Sequence, residues 1–110
     1  MSSHPPVLEL LEVRDAGRVR VRLRGELDLA TVPVVAGRLR DLGARGEPVL
    51  LDLDELAFMD ASGIRLMLTA ARAAARDGWT FAVTPGSDAV RRLFEMLGLD
   101  TELPIERSAA

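Results

Sequence analysis

The chain has 110 residues, 48% of them apolar and 28% charged, which suits one domain with a real core and is too short for two comfortable ones. A formal net charge of −3 argues against nucleic acid as the main partner, because phosphate backbones attract basic surfaces. There is no cysteine and all 14 basic residues are arginine, which excludes disulfides, thiolate metal sites, a Walker-type phosphate loop and a lysine Schiff base. The N-terminal MSSHPPV has no charged segment followed by an apolar one, and no apolar run approaches a membrane span. A cytoplasmic domain is expected, with no direct contact to nucleic acid or membrane.

Val7 to Val13 predicts a first strand, and Asp15-Ala16-Gly17 a turn. Arg18 to Arg24, RVRVRLR, alternates strictly, with Val19, Val21 and Leu23 on one side and four arginines on the other. Two readings of that arginine face stand side by side: a solvated face that blocks edge aggregation, and a docking surface for an acidic partner. GELDLAT then leads into a helix with Thr31 as cap and Pro33 in its first turn; Val32, Val35, Leu39 and Leu42 repeat at helical spacing, and Gly43 ends it. The apolar run PVLLDL, Pro48 to Leu53, predicts a central strand, followed by an exit loop.

A second helix is expected from Ser62 to Arg76, with Arg65, Thr69, Arg72 and Arg76 forming one narrow exposed stripe. WTFAVT predicts another strand, with Trp79 at the core or its edge. A third helix follows, capped by Ser87 or Asp88, with Val90, Leu93, Phe94 and Leu97 as its apolar face and Gly98 as its stop. Leu99 to Ile105 suggests a last short element. The expected architecture is a single α/β domain over 1–110 whose mixed sheet of four to five strands carries helices mainly on one face. Residues 1–6 and 106–110 are expected to be loose tails.

Asp60-Ala61-Ser62-Gly63 interrupts this apolar region where a strand hands over to a helix, a favoured binding position in open α/β sheets. The plain reading of Ser62 is a helix cap. The functional reading is a hydroxyl at the head of the exposed stripe, with Gly63 leaving room for a visiting protein. A phosphate there would meet helix N–H groups, with Arg65 nearby, and would add about −1.5 to −2 charges. A serine-hydrolase role is disfavoured: the only histidine is His4, in the polar N-terminal tail, and no lysine can replace it. A magnesium site from Asp28, Asp52, Asp54, Glu55 and Asp60 is a further candidate, although such carboxylates more often cap, turn or solvate loops. No enzymatic activity and no cofactor is expected.

GELDLAT (Gly25 to Thr31), LLDLDELAFMDASGIRLML (Leu50 to Leu68) and PGSDAVRRLFEMLGL (Pro85 to Leu99), in that order, resemble the STAS-domain anti-sigma-factor antagonists of bacteria. The resemblance covers nearly the whole chain, and its compactness resembles the stand-alone regulators rather than the tail of a sulphate transporter. It implies that Ser62 is the phosphorylated residue, that Asp60 serves kinase recognition, and that Gly25, Glu26, Leu27 and Asp28 form a loop at the same end of the sheet. Ala61 stands where the family commonly has a second hydroxyl, a departure that bears on kinase efficiency. The implied mechanism is partner switching. The unphosphorylated domain binds an anti-sigma factor that is a serine kinase and frees sigma factor; phosphorylation releases the kinase; a serine phosphatase resets the system. ATP and magnesium belong to the kinase. Asp28, Asp60, Ala61, Ser62, Gly63, Arg65, Thr69 and Arg72 are the expected partner-binding residues, with Arg76 continuing the stripe. The alternative is a STAS subunit making a fixed contact in a membrane transport or stress-sensing complex, without phosphoswitching.

Overall fold

The computed structural model describes residues 7–99 and 101–106. Strand β1 (Leu8–Asp15) turns tightly through Ala16 and Gly17 into β2 (Arg18–Leu27), and the two pair antiparallel along their length. Helix α1 (Val32–Ala44) leads to β3 (Val49–Met59), helix α2 (Ala61–Asp77) to β4 (Phe81–Val83), and helix α3 (Asp88–Leu97) follows. The sheet order is β1-β2-β3-β4, with β2, β3 and β4 parallel, and an isolated parallel bridge joins Val83 to Ile105 as the trace of a fifth strand. This is the expected mixed sheet of four to five strands.

Strand order explains why the helices lie on one side. The chain steps from β2 to β3 to β4 in one direction, and right-handed crossovers in one direction place their helices on the same face. Val19, Val21, Leu23, Leu51 and Leu53 of the sheet therefore share one core with Val35 and Leu39 of α1, Met67 and Ala70 of α2, and Val90 and Phe94 of α3. The opposite face carries the arginine ladder. Arg18 pairs with Glu106 at 2.6 Å, Arg20 with Asp52 at 2.9 Å, and Arg22 and Arg24 with Glu55 at 2.9 and 2.8 Å. Its charge is matched by the protein's own carboxylates, as a solvated face requires, and Leu50, beside Arg20 in the register, is buried outside the main core.

Four details depart from the sequence expectations. Strand β3 runs on to Met59 because two register shifts against β2, at Arg22/Arg24 and Gly25/Glu26, absorb extra residues and let pairing resume beyond the charged Asp54-Glu55. Gly43 does not end α1; it sits inside the helix because a Cβ there would lie 2.6 Å from the Trp79 ring. Leu97 is 53% exposed. The left-handed Gly98 closes a Schellman turn, with the Leu99 N–H on the Phe94 carbonyl at 2.9 Å, so Leu99 is buried in its place. Glu106 is anchored by Arg18 and by its own N–H on the Val83 carbonyl at 2.7 Å, so it is no loose tail. The tail expectations for 1–6 and 107–110, and His4, lie outside the described residues.

Candidate functional site

Leu27 and Met59 are paired at the ends of the parallel strands β2 and β3, so both strands leave the sheet together. Asp28 and Asp60 are the first residues out. The Asp28 carboxylate accepts hydrogen bonds from the N–H groups of Ala30 (3.1 Å) and Thr31 (3.2 Å), folding the loop that enters α1. Thr31, expected to cap α1, makes no side-chain cap bond: its hydroxyl donates to the Glu26 carbonyl at 2.9 Å and accepts the Asp28 N–H at 3.0 Å. The loop thus holds its own shape.

Asp60 is the cap of α2. Its backbone is extended and its carboxylate accepts the Ser62 N–H at 2.9 Å, while its own N–H donates to the Leu27 carbonyl at 3.2 Å. Ser62 therefore does not cap, as its plain reading had it. Its hydroxyl donates to the Asp60 carboxylate, and the residue is half-buried. That hydroxyl bond chiefly, with the N–H groups of Ser62, Gly63 and Leu29, holds Asp60 below the ordinary aspartate range against the opposing effect of desolvation. A carboxylate of lowered basicity is a poor proton acceptor. The carboxylate positions the Ser62 hydroxyl.

Gly63 requires a correction. It is buried, and a Cβ there would lie 2.6 Å from the Met59 Cγ and 3.1 Å from Leu27 Cδ2. The glycine seats the first turn of α2 on the core; it does not clear space on the outer side. Ala61 is exposed beside Ser62, and Arg65, Thr69, Arg72 and Arg76 are all exposed along α2. Arg76 pairs with Asp77 at 3.0 Å, whereas Arg65 and Arg72 make no ion pair among the described residues.

Of the five carboxylates considered for a cation, Asp28 and Asp60 come to this end of the sheet. Asp52, Asp54 and Glu55 lie in the body of β3, engaged by Arg20, by the Gly86 N–H at 3.2 Å, and by Arg22 and Arg24. The sequence reading missed three exposed apolar side chains. Leu29 (75% exposed), Val34 (64%) and Phe58 (47%) stand in the loop, the first turn of α1 and the end of β3. Leu29 was readable as an apolar residue in the turn between Asp28 and Thr31. Phe58 was not, because the strand was expected to end at Leu53, five residues short of it.

The family model described as "Mlab, STAS domain" matches residues 10–105. An anti-sigma F factor antagonist of Paenibacillus polymyxa is 35% identical over 81% of this chain and 78% of its own. An anti-sigma factor antagonist from Mycobacterium paratuberculosis superposes with a TM-score of 0.78 at 24% identity, over 94% of this chain and 89% of that one. The anti-sigma factor antagonist SpoIIAA superposes in its unphosphorylated form (0.74, 23% identity, 92% and 89% of the two chains) and in its phosphorylated form (0.69, 24%, 93% and 91%). No helix among the described residues is long and apolar enough to cross a membrane. With a match that spans nearly all of the sheet and every helix, the chain belongs to the STAS domain family.

Proposed function

We propose that this chain is an anti-sigma-factor antagonist whose docking is switched off by phosphorylation of Ser62. The observation that carries the reading is the hydroxyl itself: freed from capping by Asp60, it is half-exposed at the start of α2, beside the loop that carries exposed Leu29. The names of its relatives supply the partner class, an anti-sigma factor.

Exposed Leu29, in the loop beside Asp60, supplies apolar surface for association. Asp28, Asp60, Ala61 and Gly63 shape the contact around Ser62, and Arg65, Thr69 and Arg72 extend it along α2. The partner is a serine kinase that brings ATP and magnesium. The Ser62 oxygen attacks the γ-phosphorus, the bond to ADP breaks, and the hydroxyl proton passes to a base of the kinase. The product carries about −1.5 to −2 charges in a contact built for a neutral hydroxyl, beside an ionised Asp60, and burying that charge without a cation is strongly unfavourable. The complex dissociates, sigma factor is recaptured, and a serine phosphatase restores the hydroxyl.

The test is incubation with each anti-sigma kinase of the same genome and magnesium-ATP, with mass mapping of the product. Phosphate is expected on Ser62 alone. Ser62→Ala binds the kinase constitutively, and Ser62→Asp binds it at least about tenfold more weakly, a loss of about 1.4 kcal/mol. Equal binding by Ser62→Asp and the unmodified chain would refute the switch and favour a fixed STAS contact in a membrane transport or stress-sensing assembly.

A further inference from the structure

Helices α1 and α2 pack side by side, and the surface between them is hollow because small residues, Gly43, Ala70 and Ala73 among them, occupy facing positions. The result is a groove of about 490 Å³, walled by Leu39 and Leu66 and closed at one end by Trp79. Trp79 is placed there by the end of α2. The left-handed Gly78 turns the chain back, the Trp79 N–H bonds the Ala74 carbonyl at 3.1 Å, and the indole fills the space left by the missing Gly43 side chain.

The charges beside this groove are one-sided. Arg40 lines it from α1 and Arg76 from α2, with Arg65 and Arg72 further along the exposed stripe of α2. Arg40, Arg65 and Arg72 make no ion pair among the described residues. The sheet's arginines, by contrast, are all matched. Asp77 is the one carboxylate lining the groove among the described residues, and Arg76 already engages it.

We propose that this groove docks an acidic amphipathic helix of a protein partner, at a site separate from Ser62. An apolar, concave floor between two helices accepts the apolar ridge of a third. Unpaired guanidinium groups alongside accept Glu and Asp from the edges of that helix, and match them bidentately. A second copy of this chain is a poor occupant, since α1, α2 and α3 each mix arginine with acids on their exposed positions. An anionic bilayer is also a poor one, because it is flat and cannot enter a concave groove between two helices. The groove begins at Leu66, four residues or about 6 Å along the helix axis from Ser62, and its far end lies beyond Ala73, eleven residues or about 16 Å away at 1.5 Å per residue. A helix seated against the Ala73 and Trp79 end lies more than a Debye length, about 8 Å, from Ser62 and stays bound when Ser62 carries phosphate, with Thr69 bordering both surfaces.

Trp79 is the chain's one tryptophan and reports on the groove directly. The probe is an amidated helical peptide of about 18 residues with Leu at i, i+3, i+4 and i+7 and Glu on the remaining face. Its controls are the same peptide with Lys for Glu, and phosphatidylglycerol vesicles. The acidic peptide is expected to shift Trp79 emission saturably, at least about tenfold more tightly than the Lys control, and less so as salt rises. Ala73→Gln, which fills the groove, and Arg40→Glu each weaken it at least about tenfold, while Ser62→Asp leaves it within about twofold. Failure of the acidic peptide to bind, equal binding of the Lys control, a response to vesicles alone, or an equal loss in Ser62→Asp overturns the proposal.

Discussion

Gly43 and Trp79 offer a test in which one substitution changes sign. Replacing glycine by alanine inside a helix ordinarily stabilises by up to about 1 kcal/mol, and somewhat less near the helix end, where Gly43 lies. Here the new methyl would sit 2.6 Å from one ring carbon of Trp79 and 2.7 Å from the next, against a rigid aromatic edge. Overpacking of this kind costs roughly 1–3 kcal/mol. Overpacking wins, and Gly43→Ala is expected to destabilise by about 1 kcal/mol, lowering Tm by about 4 °C. In a Trp79→Ala background the methyl meets open space, and the same change stabilises by about 0.5 kcal/mol. Trp79→Ala alone costs about 2 kcal/mol, less than a fully buried tryptophan because Trp79 is half-exposed, which leaves a folded background to measure in. Urea unfolding of the four proteins, followed by far-ultraviolet circular dichroism, gives a coupling of about 1.5 kcal/mol. Equal losses from Gly43→Ala in both backgrounds would show that the glycine is there for the backbone and not for the indole.

Asp60→Ala removes the cap of α2 and is expected to lose about 1 kcal/mol in urea unfolding, whereas Asp60→Asn, also a good cap, loses a few tenths; equal losses would place the effect in the charge and not the cap. Acid stability follows from the depressed carboxyls. Arginine hydrogen bonds hold Glu12, Glu47, Glu55, Asp77 and Glu106 below their usual range, and the Ser62 hydroxyl does so for Asp60. Because the folded values are the lower ones, the unfolded chain binds more protons in acid. The contribution is complete above the unfolded values near about pH 4 and is lost as pH falls through the folded ones. Urea midpoints should be level from neutrality to about pH 5 and decline below it, and a midpoint independent of pH down to about pH 3 would contradict the ion pairs.

The elements legible in the sequence were those whose signal is local. Arg18 to Arg24 alternates without exception, and β2 forms there. Ser87 and Gly98 are caps in the sequence and caps in the fold. Two of the misreadings concern glycines whose side-chain space is taken by other elements. Gly43 looks like a helix stop until Trp79, thirty-six residues on, is seen to occupy its side-chain space. Gly63 looks like outward clearance, and its inward neighbours Met59 and Leu27 become visible once two parallel strands end together. The exposed arginine stripe on α2 was readable from a spacing of three and four; the hollow beside it was not, since it is made jointly with α1.

The same division of labour explains how one hydroxyl can become a switch without endangering the fold. At most helix starts the serine hydroxyl caps, and modifying it removes a structural bond worth about 1 kcal/mol. Here Asp60 caps, Gly63 seats the first turn on Met59 and Leu27, and the Ser62 hydroxyl bonds only the Asp60 carboxylate among the described residues. A phosphoryl group there gains from the helix N-terminus, roughly 0.3–1 kcal/mol, and loses against the Asp60 carboxylate by a comparable, solvent-screened amount. The two nearly cancel inside a domain stabilised by about 5–15 kcal/mol, so the intramolecular cost of phosphorylation is small. Across a partner's surface no such cancellation exists. On the proposed switch the new charge would have to be stripped of water against a partner beside exposed Leu29, and the free energy of modification would appear mainly as lost affinity.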